Sequence, residues 1–135
     1  MTIALRVVSV ERSLFEGDVD FIVAIGADGE LGILPKHAAL MTSLKPGPLK
    51  ITQGDKETVI FVGGGFLEVL PDRVTVLADV AEDAEEISIE RAEAARKRAQ
   101  EKLAGTLTTA EEVEFQQALA VAEARLQLAR MRRRA

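Results

Sequence analysis

The stretch Ala81-Glu82-Asp83-Ala84-Glu85-Glu86 divides this chain into two kinds of sequence. Upstream of it, apolar residues recur at every second position. In Val19-Asp20-Phe21-Ile22-Val23-Ala24-Ile25 that rhythm places Val19, Phe21, Val23 and Ile25 on one face, the pattern of a half-buried strand. Ile3–Val10, Gly47–Ile51, Glu57–Val62, Phe66–Leu70 and Arg73–Ala78 read the same way. Turn chemistry separates the runs at Ala27-Asp28-Gly29, Gln53-Gly54-Asp55-Lys56 and Pro71-Asp72. Pro46 and Pro48, on either side of Gly47, mark a sheet edge or the start of a strand. Many short strands with frequent turns predict a β-sandwich or flattened barrel, in which two sheets cover each other. Four of the five phenylalanines (Phe15, Phe21, Phe61 and Phe66) fall in this part, which is where the core is expected.

Downstream of the acidic connector the period changes. Ser88 is placed to cap a helix starting at Ile89, with Glu90 favourable in its first turn. Ile89, Ala92, Ala95, Ala99 and Leu103 fall on one face, Glu93 and Lys97 form a supporting pair, and Gly105 supplies a stop. Thr109-Ala110-Glu111-Glu112 fits a capping box for a second helix. Phe115, Leu119, Ala122, Leu126 and Ala129 then repeat as a heptad seam. The short connection predicts an antiparallel two-helix hairpin, so the expected domains are a β-sandwich over residues 1–86 and the hairpin over residues 87–135. The first helix contributes mostly alanine to the seam. Burying a Val, Leu or Phe contributes roughly 1.5–3 kcal/mol, and an alanine methyl far less. The hairpin is therefore expected to hold together weakly and to open or re-dock.

Composition narrows the class. With 135 residues, 47% of them hydrophobic, the chain is long enough for one globular domain plus an appendage. It has no cysteine, which excludes a disulfide framework and thiolate metal sites and suits a reducing compartment. Met1-Thr2-Ile3-Ala4-Leu5-Arg6 lacks the features of a signal peptide, and no apolar stretch is long enough to span a bilayer. A soluble intracellular protein is expected, associated with a membrane only through a partner. The net charge of −5 is unevenly spread: residues 1–86 hold 15 acids and 7 bases, residues 87–135 hold 7 acids and 10 bases. From Ala124 onward there are five arginines, Arg125, Arg130, Arg132, Arg133 and Arg134, and no acid. Such a tail suits an anionic neighbour; the plainer reading is a solvated helix end whose cations complement the helix dipole.

Three motifs invite sharper readings. Gly63-Gly64-Gly65 looks like a phosphate loop, but a phosphate cradle needs a helix directly after the glycines and usually a lysine, whereas Phe66–Leu70 is strand-like. A bulge or tight strand-to-strand bend is the better account. His37 is the only histidine, too little for a transition-metal site or a serine-type triad. Gly29-Glu30-Leu31-Gly32-Ile33-Leu34-Pro35-Lys36-His37 reads instead as a loop of fixed shape that presents Glu30 and His37 to a partner, or as an ordinary surface loop. The arginine-rich end does not indicate nucleic-acid binding: the chain has no Trp or Tyr, its helical half has only Phe115 for stacking, and the acidic β-domain repels phosphate.

Taken in order, Gly29–His37, then Gly63-Gly64-Gly65-Phe66-Leu67-Glu68-Val69, then Val74-Thr75-Val76-Leu77-Ala78-Asp79, then two helices, the chain resembles the epsilon subunit of bacterial F-type ATP synthases along essentially its whole length. The resemblance implies a ten-stranded N-terminal β-sandwich and a C-terminal helical hairpin. It implies a non-catalytic subunit of the central rotor stalk, at the foot of the gamma subunit and on the ring of membrane c subunits. There it couples proton-driven ring rotation to the catalytic head, and its helices inhibit ATP hydrolysis. Such a subunit is peripheral, on the cytoplasmic face of the cell membrane.

Carried over by residue, Glu30 and His37 match the family's loop beside the c ring, and the five arginines are candidates to meet an acidic segment of the beta subunits. Some members bind ATP at the start of the first helix through Ile/Leu-Asp-x-x-Arg-Ala. Here the segment reads Ile87-Ser88-Ile89-Glu90-Arg91-Ala92. Ile87, Arg91 and Ala92 match, but Ser88 replaces the aspartate and brings neither its charge nor its second oxygen, so weak or absent ATP binding is expected. No other cofactor is implied. The rival reading is a free-standing β-sandwich binding module with a helical dimerisation hairpin.

Overall fold

The computed structural model describes the backbone of residues 1–134 and the side chains of residues 1–132. The chain divides into two compact units, Met1–Ala84 and Glu85–Ala135. The first holds ten strands: β1 Ile3–Ser9, β2 Ser13–Val19, β3 Phe21–Gly26, β4 Gly29–Ile33, β5 Leu40–Leu44, β6 Gly47–Gln53, β7 Lys56–Val62, β8 Gly65–Val69, β9 Arg73–Ala78 and β10 Ala81–Asp83. A single 3-10 turn, Ala84–Glu86, leads to helices α1 (Ile89–Leu103) and α2 (Thr109–Arg134).

The strands run in the order β10-β7-β6-β3-β5-β8-β9-β1-β2, with β4 on the remaining edge of β3. Phe21–Val23 of β3 pair with β6, and Gly26 pairs with Leu44 of β5, so the sheet folds over at Gly26 into two layers. Most neighbours are antiparallel; β1 and β9 run parallel, with Ala4 opposite Arg73 and Ser9 opposite Ala78. The core between the layers is aliphatic, with Ile3, Leu5, Val7, Ile22, Ile33, Leu49, Ile51, Leu67, Val69, Val74 and Val76 buried. Alternation explains the selection: Ile3, Leu5 and Val7 face inward while Ala4 and Arg6 face out. Each large aliphatic side chain buried this way contributes roughly 1.5–3 kcal/mol.

This architecture is the expected β-sandwich followed by a helical hairpin, with local corrections. The inward residues of β3 are Ile22 and Ala24; Phe21, Val23 and Ile25 lie half-buried on the opposite face. The chain turns at Asp20, between Val19 of β2 and Phe21 of β3, so the phase of the alternation does not carry across. Of the four phenylalanines only Phe61 is fully buried: Phe15 packs at the margin of the core, Phe21 is half-buried, and Phe66 is exposed. Gly29–Ile33 is a strand rather than a loop, paired with β3 from Ile22 opposite Ile33 to Gly26 opposite Gly29. Part of the acidic connector, Ala81–Asp83, is a strand on β7. The three glycines form the tight approach expected of a bend, and a strand follows them. Gly64 and Gly65 adopt φ of 99° and 134°, and a Cβ at Gly65 would run into the carbonyl oxygen of Leu77.

In the second unit Ser88 caps α1, its hydroxyl accepting the Arg91 N–H at 3.2 Å. Buried Ala92 and Ala99 of α1 and Ala122, Leu126 and Ala129 of α2 form the seam. Ala95 is exposed and Arg96, one residue on, is half-buried in its place. Spacings of three and four from Ile89 reach Ala92, Arg96, Ala99 and Leu103 without a break, and the long aliphatic stem of arginine fits such a position. The cap of α2 is Thr108: its hydroxyl accepts the Glu111 N–H at 3.2 Å, and its own N–H donates to Glu111 Oε1 at 3.1 Å. The reciprocal box thus falls one residue before Thr109, which already belongs to the helix.

Candidate functional site

On the outward side of β5, β8 and β9 the register brings Met41, Phe66 and Leu77 to the surface. Phe66 stands directly opposite Leu77 on one side and Ser43 on the other, and Met41 is opposite Glu68. Met41, Phe66 and Leu77 are 66%, 57% and 54% exposed, large apolar groups facing water side by side. Exposed apolar clusters of this kind mark contact surfaces. The same face continues into a groove of about 420 Å³ lined by Arg6, Glu16, Asp18, Glu68, Arg73 and Thr75, so the apolar strip has a charged border. The sequence reading missed the strip because it counted Phe66 as core. The signal was there: in Phe66-Leu67-Glu68-Val69 the inward pair is Leu67 and Val69, which leaves Phe66 on the side of Glu68.

Glu30 and His37 are not brought together. Glu30 lies opposite Ile25, beside the Ala27-Asp28-Gly29 turn, and is exposed. His37 follows the far end of β4, in a turn tied to the β8–β9 connection by the Lys36 N–H donating to the Pro71 carbonyl at 3.0 Å. Lys36 holds a left-handed φ of 64° there, and the His37 N–H closes the turn onto the Leu34 carbonyl at 3.2 Å. His37 is half-buried, and its Nδ1 donates to the Ala38 carbonyl at 2.7 Å. The two residues therefore occupy opposite ends of the sandwich.

The arginine-rich end of α2 is engaged within its own unit. Arg130 pairs with Glu93 at 3.2 Å and Arg132 with Glu85 at 3.0 Å, so the partner of Glu93 is on the other helix rather than Lys97. Arg125 is half-buried. The side chains of Arg133 and Arg134 lie outside the described residues. At the start of α1, Arg91 is exposed, Ala92 is buried in the seam and Ile87 is half-buried. Hydrogen bonds from the Thr108 backbone N–H first, then from its hydroxyl, hold the Glu111 carboxyl below the usual glutamate value, and the Lys102 charge adds to the effect.

Among the described residues, no group of three or more His, Cys, Asp or Glu side chains is arranged to hold a metal ion. Among the described residues, no helix is long and apolar enough to cross a membrane. The features that stand out are an exposed apolar strip on the outer face of the sandwich and a basic end on the helical hairpin. Residues 2–84 match the family model for the ATP synthase delta/epsilon chain β-sandwich domain, and residues 85–130 match that for its long α-helix domain. The chain belongs to the ATP synthase delta/epsilon family.

The ATP synthase epsilon chain of Dehalococcoides mccartyi is 48% identical over 135 residues, covering 96% of this chain and 94% of that one. The ATP synthase epsilon chain of Desulforamulus reducens is 52% identical over 99 residues, covering 73% of this chain and 75% of that one. Among solved structures, a chain of the Euglena gracilis mitochondrial ATP synthase OSCP/F1/c-ring assembly superposes with a TM-score of 0.77 at 26% identity, covering 91% of this chain and 78% of that one.

Proposed function

We propose that this chain is a non-catalytic subunit of the central stalk of a proton-translocating F-type ATP synthase, which couples ring rotation to the catalytic head and restrains ATP hydrolysis through its C-terminal helices. Family membership supports the assembly, and the exposed Met41–Phe66–Leu77 strip supports a docking role within it. We assign the strip to the gamma subunit, because an apolar surface with a charged border suits a long-lived contact. Glu30, exposed and charged, is assigned to the polar loops of the c ring. His37, at the opposite end with Nδ1 engaged, is then not part of the same contact. The arginines of α2 are assigned to an acidic segment of the beta subunits. Residence on the cytoplasmic face of the membrane follows from attachment to the ring.

One reconstitution tests the whole reading. A catalytic head lacking its epsilon subunit is combined with this chain, with the double variant Phe66→Asp, Leu77→Asp, or with a truncation ending at Glu86. The double variant is expected to fold, since both positions face solvent, and to bind at least roughly tenfold more weakly, as loss of a contact centre does. The truncation is expected to bind and to leave hydrolysis unrestrained. Full binding by the double variant removes the strip from the interface. Inhibition by the truncation removes the brake from the helices. No binding by the intact chain to a cognate head points to the free-standing module.

ATP is proposed to bind weakly or not at all. Ile87, Arg91 and Ala92 fit the nucleotide motif, but Ser88 offers one hydroxyl already committed to the Arg91 N–H. Titration calorimetry should therefore detect no submillimolar ATP binding, and a clear heat in that range would overturn this reading.

A further inference from the structure

We propose that Met41 is a reversible oxidation site, and that its conversion to the sulfoxide by hydrogen peroxide weakens docking through the Met41–Phe66–Leu77 strip while the sandwich stays folded. The proposal rests on the docking role given to that strip. The chain offers peroxide few targets. It has no cysteine, tryptophan or tyrosine, so the thioethers of Met1, Met41 and Met131 carry all of its sulfur. All three are exposed, and the core of the sandwich is built from aliphatic residues without them. Susceptibility to this oxidation follows exposure, so peroxide reaches each thioether without opening the fold.

Of the three, Met41 alone belongs to the strip; Met1 precedes β1 and Met131 lies near the end of α2. On the outward face Met41 stands opposite Glu68 and diagonal to Phe66, whose direct partners are Ser43 and Leu77. It is also the most exposed member of the strip. An unbranched thioether suits that place, because it adapts its shape to whatever covers it. In the reaction a sulfur lone pair attacks one peroxide oxygen. The S–O bond forms as the O–O bond breaks, and the departing hydroxide takes up a proton to become water. Sulfur loses two electrons and the peroxide gains them. The product carries a polar S–O group where the side chain was apolar. Under an apolar partner surface that oxygen gives up its water without gaining a hydrogen bond, which lowers affinity by roughly tenfold. Two thiols reverse the step, removing the oxygen as water and ending as a disulfide. A docked partner covers Met41, so the free chain is the form that is oxidised.

The full chain and a cognate catalytic head lacking its epsilon subunit test it. The free chain is treated with hydrogen peroxide, the sulfoxides are located by peptide mass spectrometry, and binding to the head is measured before and after. The expected result is a sulfoxide at Met41, an unchanged urea midpoint and roughly tenfold weaker binding. Methionine sulfoxide reductases for both sulfoxide epimers, acting with dithiothreitol, should restore the lost affinity. Met131→Leu should lose as much on treatment as the native chain. Met41→Leu, whatever its starting affinity, should lose nothing. An oxidised native chain that binds as tightly as the untreated one overturns the proposal. So does an equal loss in Met41→Leu, or a sandwich that unfolds on oxidation. The strip is judged separately by the Phe66→Asp, Leu77→Asp variant. If that variant binds weakly while oxidation of Met41 costs nothing, the docking strip stands and the oxidation site alone falls. Full binding by the variant removes both.

Discussion

At the scale of single residues, Gly65 shows how little freedom a contact between two backbones leaves. Its φ of 134° and the Leu77 carbonyl where a side chain would begin are two independent reasons for glycine. Gly65→Ala should therefore destabilise the sandwich by roughly 2–4 kcal/mol, read as a lower urea midpoint at constant slope. Gly54→Ala is the control: it has a left-handed φ of 59° but open space around a would-be Cβ, so it should cost about 1 kcal/mol. Equal costs at the two positions would mean that backbone conformation alone, and not the Leu77 contact, requires the glycine. The bend at Gly65 was legible because glycines followed by an alternating run leave few options. The exposure of Phe66 was not, since an aromatic residue in a strand is core or contact surface depending on which face its neighbours choose.

At the scale of elements, regular spacing made some pieces easy to read and small or polar residues hid others. Both helices announced themselves by caps and periodicity, β1 and β9 by alternation, and β7 by its continuous apolar run Val59–Val62. β2 carries Glu16, Gly17 and Asp18 in its middle, and β4 reads Gly29-Glu30-Leu31-Gly32-Ile33. Such strands are held by their neighbours more than by their own propensity, so local patterning missed them. The Thr108–Glu111 box gives a prediction at this scale. Glu111 titrates lower in the folded protein than in the unfolded chain. Its contribution is therefore fully present above the ordinary glutamate value of about 4.3 and is lost as pH falls through the lowered one. Amide exchange in the first turn of α2 should accelerate over that acidic range, and Glu111→Gln should remove most of the acceleration. The same pH response in the variant would place its origin elsewhere.

At the scale of the whole molecule, the order of motifs carried more information than any single one. The sandwich, the hairpin and the family were all legible in the sequence before any coordinates. The docking strip and the ion pairs were not, because each depends on residues that meet only across strands or helices: Phe66 with Leu77, Arg130 with Glu93, Arg132 with Glu85. Separations of 37 and 47 residues between the paired charges leave no local trace.

The parallel pairing of β1 with β9 also sets an order of events during synthesis. β1 is flanked on one side by β2, its immediate successor, and on the other by residues 73–78, more than sixty positions later. Until β9 has left the ribosome, one edge of β1 has no strand partner, and an unpaired edge invites wrong pairing. At about 5–20 residues per second, that wait lasts several seconds. The hairpin needs no such delay, because its partners are joined by a short turn. The hairpin thus completes its pairing sooner than β1 does, and the waiting edge of β1 is where a chaperone has most to protect.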